Sequence, residues 1–330
     1  MIGSSGDLNA AHLNRSPDGP IIGSPDNSFM AIRKITIIGT GLIGGSLGLA
    51  LKKGGFRGKI VGCDSASVLA RAKRARAIDL GVADPVEASQ GSDVVVLATP
   101  VGAIIELIER LAPRLSSPTL LTDVGSTKGE IVGRAGRAFG KDAARGFLAG
   151  HPMAGKENSG IGFADADLFR GAVWFVTPLP GQKVKAGLIG EYLRLVKKTG
   201  ARIAEVNAAE HDQLCAWISH VPQMISTALA ATLVEEYGEN TPLLESGGRA
   251  LREMTRIAAS PYSMWRDIAI TNKKQIAEAL LKVEQKLGHI RENLDTRGLE
   301  EEFERGHGLR NSSSPKGFSP QRRRATEKAR

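Results

Sequence analysis

One stretch limits what this chain can fold into more than any other: Lys34-Ile-Thr-Ile-Ile-Gly-Thr-Gly-Leu-Ile-Gly-Gly-Ser-Leu-Gly-Leu-Ala-Leu-Lys-Lys53. Ile35 to Ile38 is short, apolar and rich in β-branched residues, which suits a strand buried on both faces. The run breaks at Gly39, Gly41 and Gly44 with G-x-G-x-x-G spacing, and Ser46 to Lys53 continues as a helix-forming segment. Gly39 permits a tight turn, Gly41 lets backbone approach a pyrophosphate, and Gly44 allows helix to pack closely on strand. The free N–H groups and positive dipole end of the new helix then face the phosphates.

A glycine spacing alone is weak, since a glycine-rich turn followed by a surface aspartate can mimic it. Here a second apolar run, Lys59 to Cys63, ends in Asp64, about 20 residues past the last glycine. A carboxylate there accepts hydrogen bonds from ribose hydroxyls and repels a 2′-phosphate, so NAD is expected rather than NADP. The residues expected to touch the cofactor are Gly39, Gly41, Leu42, Ile43, Gly44 and Asp64, with Thr99 and Pro100 from a later strand end.

The 330 residues suffice for two ordinary domains, and 42% hydrophobic with 24% charged is globular composition. No apolar run reaches the roughly 20 residues of a membrane span. The first 29 residues lack a signal peptide's apolar core, so a cytoplasmic protein is expected. Cys63 and Cys215 form neither a disulfide framework nor a zinc spacing, and no metal is expected. The net charge of +9 sits mainly at one end: residues 305–330 carry eight Lys or Arg against one Glu. Residues 1–29 carry one Arg against three Asp, which leaves a net +4 for 30–304. A solvated basic tail is therefore expected, not a nucleic-acid surface.

The patterning divides the chain into a flexible leader (1–29), a nucleotide-binding domain (30–206), a helical domain (207–300) and a disordered basic tail (301–330). In the first domain, strands at Asp93–Ala98, Leu120–Val124 and Val173–Thr177 alternate with helices at Ser67–Ala77, Val101–Leu111 and Lys183–Lys198. This predicts an α/β fold with a doubly wound, mostly parallel sheet, followed by an all-helical domain. Ligands of such sheets collect beyond the carboxyl ends of the strands, so the loops holding Thr99, Ser126 and His151 should converge near the cofactor. The helical half reads as three long segments, Glu210–Gly238, Pro242–Ile257 and Ser263–Leu294.

Two histidines are candidates for chemistry. His151, between Gly150 and Pro152, is expected on a loop at a strand end. A neutral imidazole there can take a proton from a substrate hydroxyl as hydride leaves the same carbon, though a structural loop histidine fits as well. His220 lies on a helix, where a satisfied core histidine is the simpler explanation. His211-Asp212 reads as a helix-start pair. Arg249, Arg252 and Arg256 fall at i, i+3 and i+7 on one helical face, ready for an anionic substrate or equally a solvated face.

These stretches resemble the prephenate/arogenate dehydrogenase family of tyrosine biosynthesis. The resemblance rests on Ile37 to Ser46, Asp123-Val-Gly-Ser-Thr-Lys128, His151-Pro-Met-Ala-Gly155 with Glu157, and Ser219-His-Val-Pro222. Thr255-Arg-Ile-Ala258 and Met264-Trp-Arg-Asp267 complete it, over about residues 32–295. It implies a Rossmann-type domain, a homodimer through the helical domain, and hydride transfer to NAD coupled to loss of a ring carboxylate. By resemblance His151 partners the ring hydroxyl, and Ser126 holds hydroxyl and nicotinamide in register. Arg256 binds the ring carboxylate, and His220 shapes the pocket with Arg252, Glu157 and Trp265 as gates. Lys156 would add an anion contact at the mouth.

Two departures from the family pattern bear on substrate choice. Gln223 stands where members that prefer prephenate often carry a second histidine, so Gln223 is expected to influence the choice between a keto acid and an amino acid side chain. Ser260-Pro-Tyr262 replaces the more usual Ser-Asp-Pro. The competing readings are a β-hydroxyacid dehydrogenase of the 6-phosphogluconate type, which relies on a lysine base, and a non-catalytic NAD(H) sensor.

Overall fold

The computed structural model describes residues 32–239, 242 and 246–312. The expected leader, part of the Pro242–Ile257 segment and residues 313–330 lie outside them.

The chain enters at β1 (Lys34–Ile38) and turns at the glycines into α1 (Leu42–Lys53). There follow β2 (Lys59–Cys63), α2 (Ala66–Arg74), β3 (Leu80–Val82), α3 (Pro85–Ser89) and β4 (Val94–Leu97). Next come α4 (Val101–Leu111), β5 (Leu120–Asp123), α5 (Gly129–Phe139), α6 (Ala143–Gly146) and β6 (Phe147–Pro152). β7 (Val173–Thr177), α7 (Gly187–Lys198) and β8 (Arg202–Glu205) complete an eight-stranded sheet of order β3-β2-β1-β4-β5-β6-β7-β8. Every pairing is parallel except β6 with β7.

The period of two sorts side chains onto two cores. Ile35, Ile37, Val94 and Val96 pack with Leu47 and Leu51 of α1 on one face, while Ile38, Val95 and Leu97 pack with Ile104 and Ile108 of α4 on the other. The near-continuous apolar strands follow from this double covering. Truncating any of these fully buried isoleucines to alanine should cost about 2–5 kcal/mol. The strand order reverses between β1 and β4, which places a crevice beyond their carboxyl ends.

The structure corrects several expectations. His151 is not on a loop: β6 runs through it, because antiparallel pairing with β7 sets His151 opposite Phe175 and Pro152 opposite Trp174. The second correction concerns the tail, which does not begin at 301, as shown below.

In the helical half, α8 (Ala208–Cys215) starts at Asn207, whose side chain accepts from Glu210 N at 2.9 Å. A π-helical turn at Ala216–His220 then leads into α9 (Val221–Tyr237). Pro222 lacks an N–H for the α-helical ladder, and the wider turn ahead of it absorbs that loss. After α10 (Gly248–Thr255) comes a 3₁₀ turn at Arg256–Ala259, then α11 (Tyr262–Thr271) and α12 (Lys273–Glu292). The single helix expected over Ser263–Leu294 is interrupted at Asn272, whose amide is used elsewhere. Finally α13 (Arg297–Ser312) covers the start of the expected disordered tail. Glu302 holds it there, accepting from Lys286 of α12 at 2.7 Å and pairing with Arg305.

The helical half has a thin core of Ala216, Val221, Ile268, Ile276 and Ala279. Ile218, Val234, Tyr237, Leu281, Leu287 and Phe303 stay exposed on it. Among the described residues no helix is long and apolar enough to cross a membrane.

Candidate active site

The glycine turn has the form its spacing predicts. Gly39 adopts φ +91°, and a Cβ there would lie 2.5 Å from Ala98 O at the end of β4. At Gly44 a Cβ would lie 1.9 Å from Gly39 O, so only glycine lets α1 start this close to β1. At Gly41, by contrast, a Cβ meets nothing within 4 Å, and this residue caps α1 without a side-chain hydrogen bond. The backbone N–H groups of Leu42, Ile43 and Gly44 are first-turn donors, which have no carbonyl partner within the helix. Asp64 closes the turn from β2, accepting from Thr40 N at 2.9 Å and from Ser65 N at 2.7 Å. Thr99, from the neighbouring strand end, carries a buried hydroxyl with no partner among the described residues. Pro100 is exposed and precedes α4. An open helix start, an orphaned hydroxyl and an acid at the end of β2 form a cradle that fits NAD.

Next to this edge lies a buried polar cluster. Nδ1 of His151 is 2.9 Å from Nε2 of His211, and Nδ1 of His211 is 2.8 Å from Oδ1 of Asp212. Asp212 also accepts from the backbone of Lys128 (2.7 Å) and Gly129 (2.8 Å), which ties α8 to the start of α5. The fully buried Lys128 ammonium pairs with Asp123 and donates to Gly150 O at 2.8 Å. Asp123 accepts from Gly125 N and Gly150 N, which fixes the loop carrying Ser126 against the strand carrying His151. Burial, with His211 and Lys128 close by, drives the His151 pKa well below the usual imidazole range, so His151 is neutral. Burial also pushes the Cys215 thiol up to about 12. Sγ of Cys215 lies 3.4 Å from His211 Nε2, and His151, His211 and Cys215 offer ligand atoms within 4.8 Å of one another. The two imidazoles already share a hydrogen bond and the sulfur is a protonated thiol, so these three groups form a hydrogen-bonded set.

The helical half supplies the other wall. His220 is fully buried, and the Asn272 amide, which donates to Asp212 O at 2.8 Å, also donates to His220 Nδ1 at 3.1 Å. His220 therefore carries its proton on Nε2, a buried donor with no partner among the described residues. Burial holds its pKa down to about 4. Its ring meets Trp265 edge-on, centroids 5.9 Å apart, and Trp265 Nε1 is a second unpartnered buried donor. Arg256 reaches Glu157 at 3.1 Å.

The chain matches the nucleotide-binding domain of prephenate dehydrogenase over residues 47–205 and its dimerization domain over 207–306. It belongs to the prephenate dehydrogenase family. It is 35% identical to a prephenate dehydrogenase of Bacillus subtilis, over 82% of this chain and 72% of that one. With the Lactococcus lactis prephenate dehydrogenase it shares 34% identity over 84% and 77%. The Aquifex aeolicus prephenate dehydrogenase, solved with hydroxyphenyl propionate and NAD+, superposes with a TM-score of 0.76 at 30% identity, covering 86% of this chain and 98% of that one. Synechocystis arogenate dehydrogenase superposes at 0.68 with 27% identity, over 85% and 100%.

The expected residues of this family site fall into two groups. Gly39, Gly41, Leu42, Ile43, Gly44, Asp64 and Thr99 gather at one crevice, with Ser126 half-buried on the loop after β5 and His151 on β6. His220 and Trp265 meet, as do Arg256 and Glu157. The α-helix ends at Thr255 and Arg256 opens the 3₁₀ turn that follows it, paired with Glu157, while Arg249 lies near Glu253 and Arg252 is exposed. Lys156 is engaged with Asp165 and Phe163 O. Gln223 is buried, its amide nitrogen donating to Ile257 O at 2.9 Å and to Thr227 Oγ1 at 3.1 Å. It braces the Arg256 turn, and both its amide hydrogens are spent.

Sequence reasoning missed His211, Asp212, Lys128 and Asn272. The one available signal was that Lys128 and Asp123, five apart, flank a loop between an apolar strand and a helix, where a buried pair would be needed.

Proposed function

We propose that this protein catalyses NAD-dependent oxidative decarboxylation of prephenate, arogenate or both, as a cytoplasmic homodimer joined through the helical domain. The observation that carries the reading is His151: a neutral, buried imidazole on β6, 2.9 Å from His211 of the helical half and close to His220.

The nicotinamide, when bound, supplies the hydride acceptor; the pyrophosphate would rest on the start of α1 and the ribose on Asp64. The protein's own residues do the rest. His151 accepts the proton of the ring hydroxyl as hydride leaves the same carbon. The ring carboxylate departs as CO2, its bonding pair completes the aromatic ring, and the proton returns to the phenolic oxygen. Arg256 offers a guanidinium for the ring carboxylate once it leaves Glu157. The two unpartnered donors, His220 Nε2 and Trp265 Nε1, suit substrate oxygens that would otherwise be desolvated without a partner. Lys128, a lysine near the domain junction, is locked to Asp123 and Gly150 O, which disfavours a lysine-base mechanism. The dimer is supported by the large apolar side chains left exposed on the helical half, and the cytoplasm by two free, buried cysteines.

The test is NADH formation with prephenate and with arogenate, each against NAD and NADP. Turnover with either substrate and NAD is expected. Binding of NAD without turnover of any cyclohexadienyl acid would favour the sensor reading.

A further inference from the structure

We propose that His211 and Asp212 are positioning residues that fix the tautomer of His151 and share the charge it acquires, so that Nε2 of His151 is the atom that takes the substrate proton. The proposal rests on the hydroxyl-oxidising function given above.

The direction of every hydrogen bond in the chain follows from its far end. Asp212 accepts from two backbone N–H groups, at 2.7 and 2.8 Å, so its oxygens are committed as acceptors. Facing such a carboxylate at 2.8 Å, Nδ1 of His211 must carry the hydrogen. A neutral His211 then has only a lone pair on Nε2. The His151 nitrogen 2.9 Å from that lone pair must in turn be the donor, so Nδ1 of His151 is protonated and Nε2 is bare. The opposite arrangement would set a lone pair of His211 against the Asp212 carboxylate, leaving two acceptors in contact in a buried site. Asp212 touches neither substrate nor cofactor in this scheme; it dictates, two side chains away, which nitrogen of His151 is basic.

The same chain accommodates the charge of the reaction. When the substrate O–H bond breaks and an N–H bond forms at His151 Nε2, the ring becomes cationic. Its Nδ1–H already points at His211, and transfer of that proton to His211 Nε2 moves the positive charge next to the Asp212 carboxylate. Reversal of both transfers returns the proton to the phenolic oxygen, so no net proton is consumed. The other groups facing the pair are Lys128 with its partner Asp123, the neutral thiol of Cys215, and His220. Lys128 opposes a cation here, and the Asp212 carboxylate offsets it.

The test uses the full-length protein and has two arms. In ¹⁵N-histidine NMR of the wild type, with the His151 resonances assigned by their loss in His151→Asn, Nδ1 of His151 should be protonated and Nε2 pyridine-like. A protonated Nε2, the tautomer free imidazole prefers, would overturn the proposal without any variant having to fold. In the second arm, His211→Phe keeps the aromatic packing against Phe175 but removes the acceptor. It should lose about 100-fold or more in kcat while KM and the NADH Kd change less than about threefold, within the range general acid–base groups contribute. His211→Gln, whose carbonyl can accept from His151, should recover at least about tenfold of that loss. Equal turnover by wild type and His211→Phe would reject the relay alone. Wild type without turnover would reject the underlying function instead.

Discussion

Arg256 and Glu157 meet at 3.1 Å, joining the 3₁₀ turn that ends the α10 segment to the loop after β6. On the proposed function, Glu157 occupies the guanidinium that would receive the ring carboxylate. Arg256→Ala should raise KM about 10- to 100-fold with kcat little changed, the cost of one or two charge-assisted hydrogen bonds. Arg256→Lys, which keeps charge but loses the fork, should fall between. Steady-state kinetics check this; an unchanged KM would remove Arg256 from substrate binding.

His151→Asn should cut kcat about 10²- to 10⁴-fold. The NADH Kd from fluorescence titration should stay as in wild type, because the cradle is built from Gly41, Asp64 and Thr99.

Gly41 and Gly39 should respond differently to alanine. Gly39→Ala forces a side chain into φ +91° and against Ala98 O, so the melting temperature should drop by several degrees. Gly41→Ala meets nothing in the protein, so Tm should hold while NADH affinity falls about tenfold or more. Calorimetry and titration on the two variants separate fold from cofactor.

Acid should destabilise the protein through its histidines. His220 is held at about 4 by burial, and His211 and His151 are lowered too. The unfolded chain therefore binds more protons than the native one below about pH 6.5. Stability is complete above that pH and is lost as pH falls toward 4, by on the order of 3 kcal/mol for His220 alone. Urea denaturation from pH 7 to 4 should show a steeper loss in wild type than in His220→Asn.

Gln223→His should raise kcat/KM for prephenate relative to arogenate. The native amide spends both hydrogens on Ile257 O and Thr227 Oγ1, leaving only an acceptor oxygen, which suits an ammonium better than a second carboxylate. An unchanged substrate ratio would place the selection elsewhere.

Much of the sheet was legible because its central parallel strands announce themselves: Ile35–Ile38 stops at glycine, Lys59–Cys63 at Asp64, and Val94–Leu97 just before Thr99-Pro100, whereas β3, only three residues long, gives no such signal. Of the antiparallel pair, β7 was expected over Val173–Thr177, but the passage of β6 through His151 was not. Gly150-His151-Pro152 has loop composition, and only its pairing with Trp174–Val176 makes it a strand. The helical break at Asn272 was hidden for a similar reason, since its amide is held by the tertiary partners Asp212 O and His220. In the site, the motifs led to His151, His220 and Arg256. His211-Asp212 looks like any helix start, and its contact with His151 spans 60 positions that no periodicity links.

Asp212 does more than orient an imidazole. It sits on α8, yet its carboxylate holds the first two N–H groups of the α5 region, in the other half of the molecule. The helical half thus clips onto the sheet through the same atoms that decide where His151 keeps its proton. On the proposed relay, a protein whose halves have begun to separate should lose turnover while its cofactor cradle, built within the sheet half, still holds dinucleotide. Under mild denaturant, turnover should vanish at a lower concentration than NADH binding.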